Sequence, residues 1–393
     1  MRDVLYLAWR YLAYHRSKTA VLVLSIALIL YVPTGLRVLM RQARQELTAR
    51  ASSTPLVIGA RGSPLELVLK ALYAGGQNPP LLRYAEAERV ARTGLAQAIP
   101  LYIRYHAQGD PIVGTTLDYF AFRGLRIEEG RQMTRLGDCV AGAEVARRRG
   151  LRPQDAILSS AENLFDVAGA YPLKMRLTGI LAPTGTPDDR VIFADVKTTW
   201  VIEGLAHGHE DLGRPEAARG VLERQGGKVT GNASVIEYNE VTDDNIGSFH
   251  FHGDPAAYPI TAVIAVPRDE KAATLLMGRY QSAGEPHQIL RPLEVIEELL
   301  ETVLTVENFV VAALVLVGAT TLATAALVFL LSLRLRRREM ETLVRLGASR
   351  RRIGALMASE IAAVIGTAAL LAGGLTWATA AAGGDLLGRL VLH

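Results

Sequence analysis

The stretch RLRRREMETLVRLGASRRRIGALMASE, residues 334–360, separates two long apolar segments of the chain. Phe309–Leu333 and Ile361–Gly384 contain no charged residue, and each is long enough to cross a bilayer as a helix, which takes about 20 residues. Eight arginines lie between positions 334 and 352, against two glutamates. Short arginine-rich loops between spans stay on the cytoplasmic side. The stretch therefore predicts transmembrane helices at 306–333 and 354–384, joined by a cytoplasmic elbow at 334–353.

A third apolar segment, Thr19–Leu36, lies near the N-terminus and follows a basic stretch with a single aspartate. A cleaved signal peptide is the alternative, but the segment is long for one and no small-x-small cleavage site follows closely. We therefore interpret residues 19–40 as a retained anchor helix with a cytoplasmic N-terminus. Apolar residues at helical spacing predict an interfacial helix at 1–18, and a simple extension of the span is the alternative.

No further spanning segment lies between residues 41 and 305, so this region is predicted to be one large extracytoplasmic domain. With 50% hydrophobic residues, the chain is too apolar for an ordinary soluble protein and too polar for a purely membrane-embedded one. The predicted fold is an α-helical membrane protein with three spans and a mixed α/β domain inserted between the first and second. A tail, residues 385–393, would end outside.

Periodicity and turn residues predict the elements of the outer domain. Helices are expected at 85–96, 194–204, 269–280 and 294–307, the last running into the second span. Strands are expected at 97–105, 112–116, 173–181, 190–193 and 259–266, with a strand-to-helix turn in 138–150. The stretch PTGTPDD, residues 183–189, is interpreted as a turn between two strands.

Several chemistries are excluded by missing residues. Cys139 is the only cysteine, so the chain has no intramolecular disulfide and no multi-cysteine metal site, and the residue is expected to be small and buried. No G-x-x-x-x-G-K-S/T sequence is present, so the chain is not expected to hydrolyse ATP itself. The absence of a G-x-S-x-G sequence argues against a hydrolase. Arginines clustered beside the spans indicate membrane topology rather than nucleic-acid binding.

Four of the eight histidines form two closely spaced pairs, His207 with His209 and His250 with His252. Residues two apart in a strand face the same side, so each pair could present two imidazoles to one ion. Glu210, Asp211 and Asp254 could add carboxylate oxygens, and zinc or copper would suit such ligands. The alternative is a pair of polar turns whose histidines face solvent.

The elbow resembles a segment that follows the second span in permeases of the FtsX-like, MacB-type ABC transporters, also called type VII or mechanotransmission systems. The residues that carry the resemblance are Arg337, Arg338, Glu339, Leu343, Gly347, Ala348, Ile353 and Glu360. Residues 114–132, 137–151 and 176–204 are similar to stretches of the family's extracytoplasmic domain. The resemblance covers most of the chain and is weakest at 41–80 and 206–255.

The resemblance implies a non-enzymatic permease subunit in a bacterial inner membrane. A separate cytoplasmic ABC ATPase subunit would bind ATP and Mg²⁺, a second permease copy would pair in the membrane, and a periplasmic adaptor or substrate-binding protein would join them. The family usually has four spans, so a fourth would be missing here or supplied by another chain. Docking on the ATPase is implied for Glu339, Met340, Leu343, Leu346, Gly347, Ala348, Ser349, Arg350, Arg351 and Arg352. The alternative for these residues is an anchor that touches only lipid headgroups.

Two functional hypotheses follow. The first is a permease that couples ATP hydrolysis by the partner subunit to movement of the outer domain. The second is a membrane-anchored metal-binding protein, handling zinc, or a sensor, which would use the paired histidines of the outer domain.

Overall fold

The structure is a computed structural model of the 393-residue chain. It describes residues 2–160, 172–209, 221–225, 228–231, 238–282, 284–335, 341–342, 344–345 and 348–391. The chain divides into two units. The helical unit contains Met1–Leu47 and Glu298–Leu390, and the α/β unit contains Thr48–Glu297.

The helices of the described residues include three very long ones. In chain order they are α1 (Arg2–Tyr14), α2 (Arg16–Ser52), α3 (Pro64–Tyr73), α4 (Ala85–Arg92), α5 (Leu117–Arg123), α6 (Ala143–Arg149), α7 (Val196–Ile202), α8 (Glu270–Arg279), α9 (Pro292–Leu335) and α10 (Arg350–Val391). Stretches of α2, α9 and α10 are long and apolar enough to cross a membrane. This confirms the predicted fold class, with three candidate spans and an α/β region between the first and second.

The apolar side chains of the long helices are largely uncovered by protein. Phe309 on α9 is 75% exposed and Leu370 on α10 is 80% exposed. Such continuous apolar surface is not stable in water, but it is the ordinary lipid-facing surface of a membrane helix. The exposure therefore agrees with the membrane-spanning role of these segments.

Small and polar residues join α2 to α10 inside the helical unit. Ala27, Ala368 and Ala372 are buried. The Tyr31 hydroxyl lies 2.9 Å from Thr379 Oγ1, and Gln42 Nε2 donates to the carbonyl of Ala380 at 2.8 Å. Small side chains let helix backbones approach, and hydrogen bonds between helices hold them in the absence of a hydrophobic driving force.

The α/β unit is built on one mixed sheet. The strands are β1 (Leu56–Ala60), β2 (Leu82–Arg83), β3 (Ala96–Ala107), β4 (Asp110–Thr115), β5 (Ile127–Gly130), β6 (Asp138–Ala141), β7 (Ala156–Leu158), β8 (Lys174–Leu181), β9 (Ile192–Asp195), β10 (Ala206–Gly208), β11 (Val221–Gln225), β12 (Lys228–Gly231), β13 (Phe249–Phe251), β14 (Pro259–Ile260), β15 (Ala262–Pro267) and β16 (His287–Leu290).

The main sheet has the order β16-β1-β15-β3-β4-β9-β6-β8-β5, and β7 also pairs with β8. The β4–β9 and β6–β8 pairs are parallel, whereas the other pairs of this sheet are antiparallel. The long strand β3 pairs with β15 through its first half and with β4 through its second. One strand thus connects the two halves of the sheet. Smaller two-stranded sheets form from β10 with β13, β11 with β12, and β14 with β2.

The predicted strand at 259–266 is wrong in one respect, because it is broken at Thr261. β14 pairs with β2, and β15 pairs with β1 and β3. Thr261 is buried, its backbone N–H donates to the carbonyl of Leu101, and its Oγ1 accepts from the N–H of Ile103. The threonine hydroxyl thus takes the place of a ladder carbonyl, and the chain changes sheets there.

Two other boundaries also differ from expectation. The strand predicted at 190–193 begins only at Ile192, since Pro187–Arg190 form a 3-10 helix capped by Thr186. The helix predicted at 85–96 ends at Arg92, and Gly94 has a φ of 66°, a left-handed conformation that ends a helix readily.

The core of the α/β unit lies around Trp200, Tyr102 and Phe193, which are among its largest fully buried side chains. Cys139 is 0% exposed, which confirms its prediction as a small buried residue. Burial raises the pKa of its thiol, so the residue is unreactive packing material.

Candidate functional site

The structure describes part of the elbow. Glu339, Met340, Leu343, Leu346 and Gly347 lie outside the described residues. Ala348 is half-buried and Ser349 exposed. Ala348 and Ser349 immediately precede the third long helix, α10, and the ATPase-docking role predicted for the elbow stays a prediction.

Three consecutive arginines open α10. The helix begins at Arg350, and the carbonyl of Ser349 accepts from the backbone N–H of Arg352 at 2.9 Å. Arg351 and Arg352 are exposed. The N-terminus of a helix carries a partial positive charge, so cations there do not stabilise the helix and acidic groups do. The arrangement is electrostatically suited to an anionic surface outside the chain.

Arg50 lies in the last turn of α2 and is buried in the α/β unit. It is 7% exposed and makes a bidentate ion pair, in which Nη1 and Nη2 each donate to one Asp188 carboxylate oxygen at 2.7 Å. Nη2 also donates to the Tyr119 hydroxyl at 2.8 Å, and Nε donates to the carbonyl of Leu72 at 3.1 Å. We call Arg50, Asp188 and Tyr119 the Arg50 clamp. Its fork geometry is the strong form of an arginine–carboxylate contact.

Burial and the neighbouring groups shift the pKa of Arg50 in opposite directions. Burial alone lowers the pKa of the Arg50 guanidinium, but Tyr119 and Asp188 outweigh it, and the pKa lies above its ordinary value. Burial raises the pKa of Tyr119 to about 12. The Tyr119 hydroxyl therefore stays protonated, and it donates to Asp188 Oδ1 at 2.8 Å. The buried charges are paired and hydrogen-bonded, as buried charges must be.

The loop that supplies Asp188 is itself ordered by a second aspartate. Asp189 is buried, and it accepts from the backbone N–H groups of Thr184 and Gly185 at 3.0 and 2.7 Å. Residues 183–189, the predicted turn, are thus held by internal hydrogen bonds that position Asp188 for the clamp. Sequence reasoning missed this site, although paired aspartates in a turn and an arginine beyond a span were visible signals.

Arg123 fixes the chain just after α2. Its Nη1 donates to Ser53 Oγ at 3.0 Å, and its Nη2 donates to Thr54 Oγ1 at 2.8 Å. Burial lowers the pKa of this guanidinium. Together with the clamp, these contacts attach the outer end of α2 to α5 and to the 3-10 helix at Pro187–Arg190.

The structure brings the two histidine pairs together. β10 and β13 pair antiparallel, with His207 directly opposite His250. The Nε2 atoms of His207 and His252 are 3.4 Å apart. One ligand nitrogen from each of His207, His209 and His250 lies within 4.8 Å of the others. We call His207, His209, His250 and His252 the histidine cluster. The sequence indicated each pair, and the structure adds that the pairs meet.

The other face of β10 and β13 is packed on aromatic residues. A Cβ atom on Gly208 would come 2.5 Å from the Phe249 ring, so only glycine permits this contact. Phe251 and Tyr258 pack against the buried Trp200. The Tyr258 hydroxyl donates to the carbonyl of His252 at 2.7 Å. The histidines thus project from a supported two-stranded sheet.

The carboxylates proposed as additional ligands have different positions. Asp254 caps the 3-10 helix Pro255–Ala257, and its Oδ1 accepts from the N–H of Ala256 at 2.9 Å. Glu210 and Asp211 lie outside the described residues. Among the described residues, the candidate ligands that lie together are therefore imidazoles.

No family model matches the chain, and no curated protein matches it. Solved structures do match. The extracellular domain of the noncanonic ABC-type transporter YknZ from Gram-positive bacteria is 10% identical, with a TM-score of 0.33, covering 60% of this chain and 98% of its own. The periplasmic region of MacB from Actinobacillus actinomycetemcomitans is 11% identical, with a TM-score of 0.34, covering 65% and 98%.

MacB gives its name to the family that the sequence stretches resemble. Both matched structures are extracytoplasmic domains. With TM-scores of 0.33 and 0.34, they are similarities that carry neither geometry nor activity over to this chain.

Proposed function

We propose that this chain is the permease subunit of a MacB/FtsX-type ABC system. It would couple ATP hydrolysis by a separate cytoplasmic ATPase to movement of the α/β unit outside the membrane. The N-terminus and the elbow would lie on the cytoplasmic side of a bacterial inner membrane, because both regions are rich in arginine.

The observation that carries the proposal is the continuity of α2. Its apolar segment ends near Leu36, and the helix continues to Ser52, roughly four turns further. In its last turn Arg50 is locked into the α/β unit by the Arg50 clamp. A displacement of the span along its axis would therefore be transmitted to the α/β unit rather than absorbed by a loose linker.

The other connection is also helical. α9 runs from Pro292 to Leu335 without interruption, so its apolar segment and its outer end belong to one helix. Ile296 and Leu300, near the outer end, are buried. Helical connections on both sides of the α/β unit suit a device that transmits force, and they differ from the flexible linkers expected of a tethered binding domain.

The cytoplasmic end of the device would be the elbow. Its exposed Arg351 and Arg352 stand at a helix N-terminus, where an external anion would relieve their charge. Acidic residues of an ATPase subunit would supply that anion, with Met340, Leu343 and Leu346 making apolar contact in a groove. The resemblance of this segment to the family's elbow supports the same assignment.

The test is capture of the full chain, tagged, from its native membrane. We expect a protein with a P-loop to co-purify, and the captured complex to hydrolyse ATP. The elbow variant combines Gly347→Trp with Arg350→Glu, Arg351→Glu and Arg352→Glu. It should bind the ATPase about tenfold more weakly than the wild type does, which corresponds to a loss of about 1.4 kcal/mol in binding free energy.

A charge-matched control separates docking from general electrostatics. Arg92, Lys271 and Arg279 are exposed on the α/β unit, and reversing all three to Glu changes net charge as much as the elbow's three reversals do. This control should capture the ATPase normally. The proposal is wrong if the elbow variant captures and stimulates the ATPase as well as the control does.

A further inference from the structure

We propose that the histidine cluster binds one divalent transition-metal ion of the kind that prefers imidazole, with Zn²⁺ as the leading candidate. This inference is independent of the ATPase proposal, since it concerns only β10, β13 and the residues beneath them.

The separation of His207 and His252 fits two ligands of one ion. Their Nε2 atoms are 3.4 Å apart. Two nitrogens bound at 2.0–2.1 Å to a tetrahedral zinc ion lie about 3.3–3.4 Å from each other. The same separation lies at the long end of the range for a hydrogen bond between two ring nitrogens. The spacing of the pair therefore suits an ion between the rings.

His250 is oriented by a contact typical of metal-binding histidines. Its Nδ1 lies 3.0 Å from the carbonyl oxygen of Ser248. A carbonyl only accepts, so the proton must be on Nδ1, and the neutral ring then has its lone pair on Nε2. A backbone carbonyl that holds one ring nitrogen and fixes the tautomer is the usual outer partner of a ligating histidine.

His209 and His250 supply further imidazole nitrogens close to the His207–His252 pair. One nitrogen of each of His207, His209 and His250 lies within 4.8 Å of the others, and the His250 and His252 ring centres are 4.8 Å apart. His207 and His209 are half-buried, whereas His250 and His252 are exposed. The rings therefore line a site that an ion can reach from solvent.

The strands beneath the cluster restrain its four ligands. β10 and β13 are far apart in sequence, and an ion held by histidines from both would cross-link them. Gly208, Phe249 and the aromatic packing on Trp200 restrain the opposite face. Binding to the folded protein alone would raise its stability in proportion to the logarithm of metal concentration.

The experiment is calorimetric titration of the full chain in detergent, after chelator treatment, with ZnCl₂ and separately with MgCl₂. We expect one Zn²⁺ per chain and no heat from Mg²⁺, which demands oxygen ligands. The double variant His207→Ala/His250→Ala should bind Zn²⁺ at least about 100-fold more weakly, in line with the loss of two ligands. The control variant His15→Ala alters an exposed histidine in the turn between α1 and α2 and should bind normally.

Two further measurements keep the proposal testable if His207→Ala disturbs folding. His250→Gln and His252→Gln alter exposed rings only, so they should fold normally and still weaken binding. Cu²⁺ bound to the wild-type chain should show nitrogen couplings in its electron paramagnetic resonance spectrum that both variants reduce. Absence of Zn²⁺ binding, or binding equal in wild type and all cluster variants, would overturn the proposal.

Discussion

Arg50 at the outer end of α2 and Arg351 and Arg352 at the start of α10 are the same residue type in opposite surroundings. Arg50 is 7% exposed, and its guanidinium is occupied by Asp188, Tyr119 and the carbonyl of Leu72. The two α10 arginines are exposed at a helix end where their charge is unfavourable. One arginine is committed to the fold, and the others are available to something outside it.

The opposite surroundings of these arginines indicate different roles for the two helix ends. A buried ion pair costs several kcal/mol when one partner is removed, because the other charge is stranded. An exposed cation contributes little to stability. Substitutions in the Arg50 clamp should therefore destabilise the α/β unit. Substitutions of Arg351 and Arg352 should impair function without a large loss of stability. The predictions that follow are measured on one background, in which Trp9→Phe and Trp377→Phe leave the buried Trp200 as the fluorescent reporter of the α/β unit.

The largest effect is expected for Arg50→Met. Removing the guanidinium strands the Asp188 carboxylate in a buried site, so the free energy of unfolding of the α/β unit should fall by about 3–5 kcal/mol. Urea unfolding followed by Trp200 fluorescence measures it. Arg92→Met, an exposed position, is the control. An Arg50→Met variant as stable as that control would show that the clamp is not structural.

A smaller loss is expected when both charges are removed together. In Arg50→Met/Asp188→Leu no buried charge is stranded, and apolar replacements of buried ion pairs are often tolerated. The double variant should be at least about 1 kcal/mol more stable than the sum of the two single losses predicts. Strict additivity in this double-mutant cycle would show that Arg50 and Asp188 act independently.

Tyr119→Phe should have an intermediate effect with a pH signature. Losing a hydroxyl that bonds two charged groups should cost about 1.5 kcal/mol. Burial raises the pKa of Tyr119 from 10.0 to about 12, so the unfolded chain ionises first. The stability contributed by this shift is complete below pH 10 and is lost as pH rises toward 12. The fall in stability across that interval should be shallower in Tyr119→Phe, and an equal slope would contradict the shift.

The smallest effect is expected at the elbow. Arg351→Gln/Arg352→Gln removes two exposed charges, so the free energy of unfolding should change by no more than about 0.5 kcal/mol. These arginines lie in the helical unit, so far-ultraviolet circular dichroism during urea unfolding, which also follows that unit, measures the change in place of Trp200 fluorescence. A loss above about 1 kcal/mol would show that these arginines belong to the fold, and the contrast with Arg50 would disappear.

The sequence predicted the features that depend on neighbouring residues. Uninterrupted apolar runs predicted the spans, and alternation predicted most strands of the main sheet. The strand-to-helix turn at 138–150 is present as β6 followed by α6. Cys139 is buried as expected. These signals are local, because residue order within one element decides them.

What the sequence could not predict depends on contacts between distant residues. Arg50 and Asp188 are 138 positions apart, and although each stands out in its own stretch, neither stretch indicates which residue it pairs with. PTGTPDD has the composition of a turn, and it is one, but its tertiary use as the holder of the clamp is invisible to turn propensity. The break at Thr261 likewise depends on the carbonyl of Leu101.

The histidine cluster lies between these cases. The i, i+2 spacing predicted that each pair shares a face. The pairing of β10 with β13, which places His207 opposite His250, is a tertiary event. The elbow is the opposite case, because the sequence motif alone indicates its resemblance to the family. The structure adds little there, since Glu339, Met340, Leu343, Leu346 and Gly347 lie outside the described residues.

We propose that ATP hydrolysis by an ATPase subunit docked on the elbow moves the α/β unit. Cys139 is the only cysteine and is buried, so Glu128→Cys in the α/β unit and Tyr14→Cys in α1, both exposed, can be spin-labelled selectively. Double electron–electron resonance on the captured complex in membranes then gives the distance distribution between the labels. We expect ATP to shift this distribution and the elbow variant to abolish the shift. A distribution that stays unchanged while the complex hydrolyses ATP would contradict it.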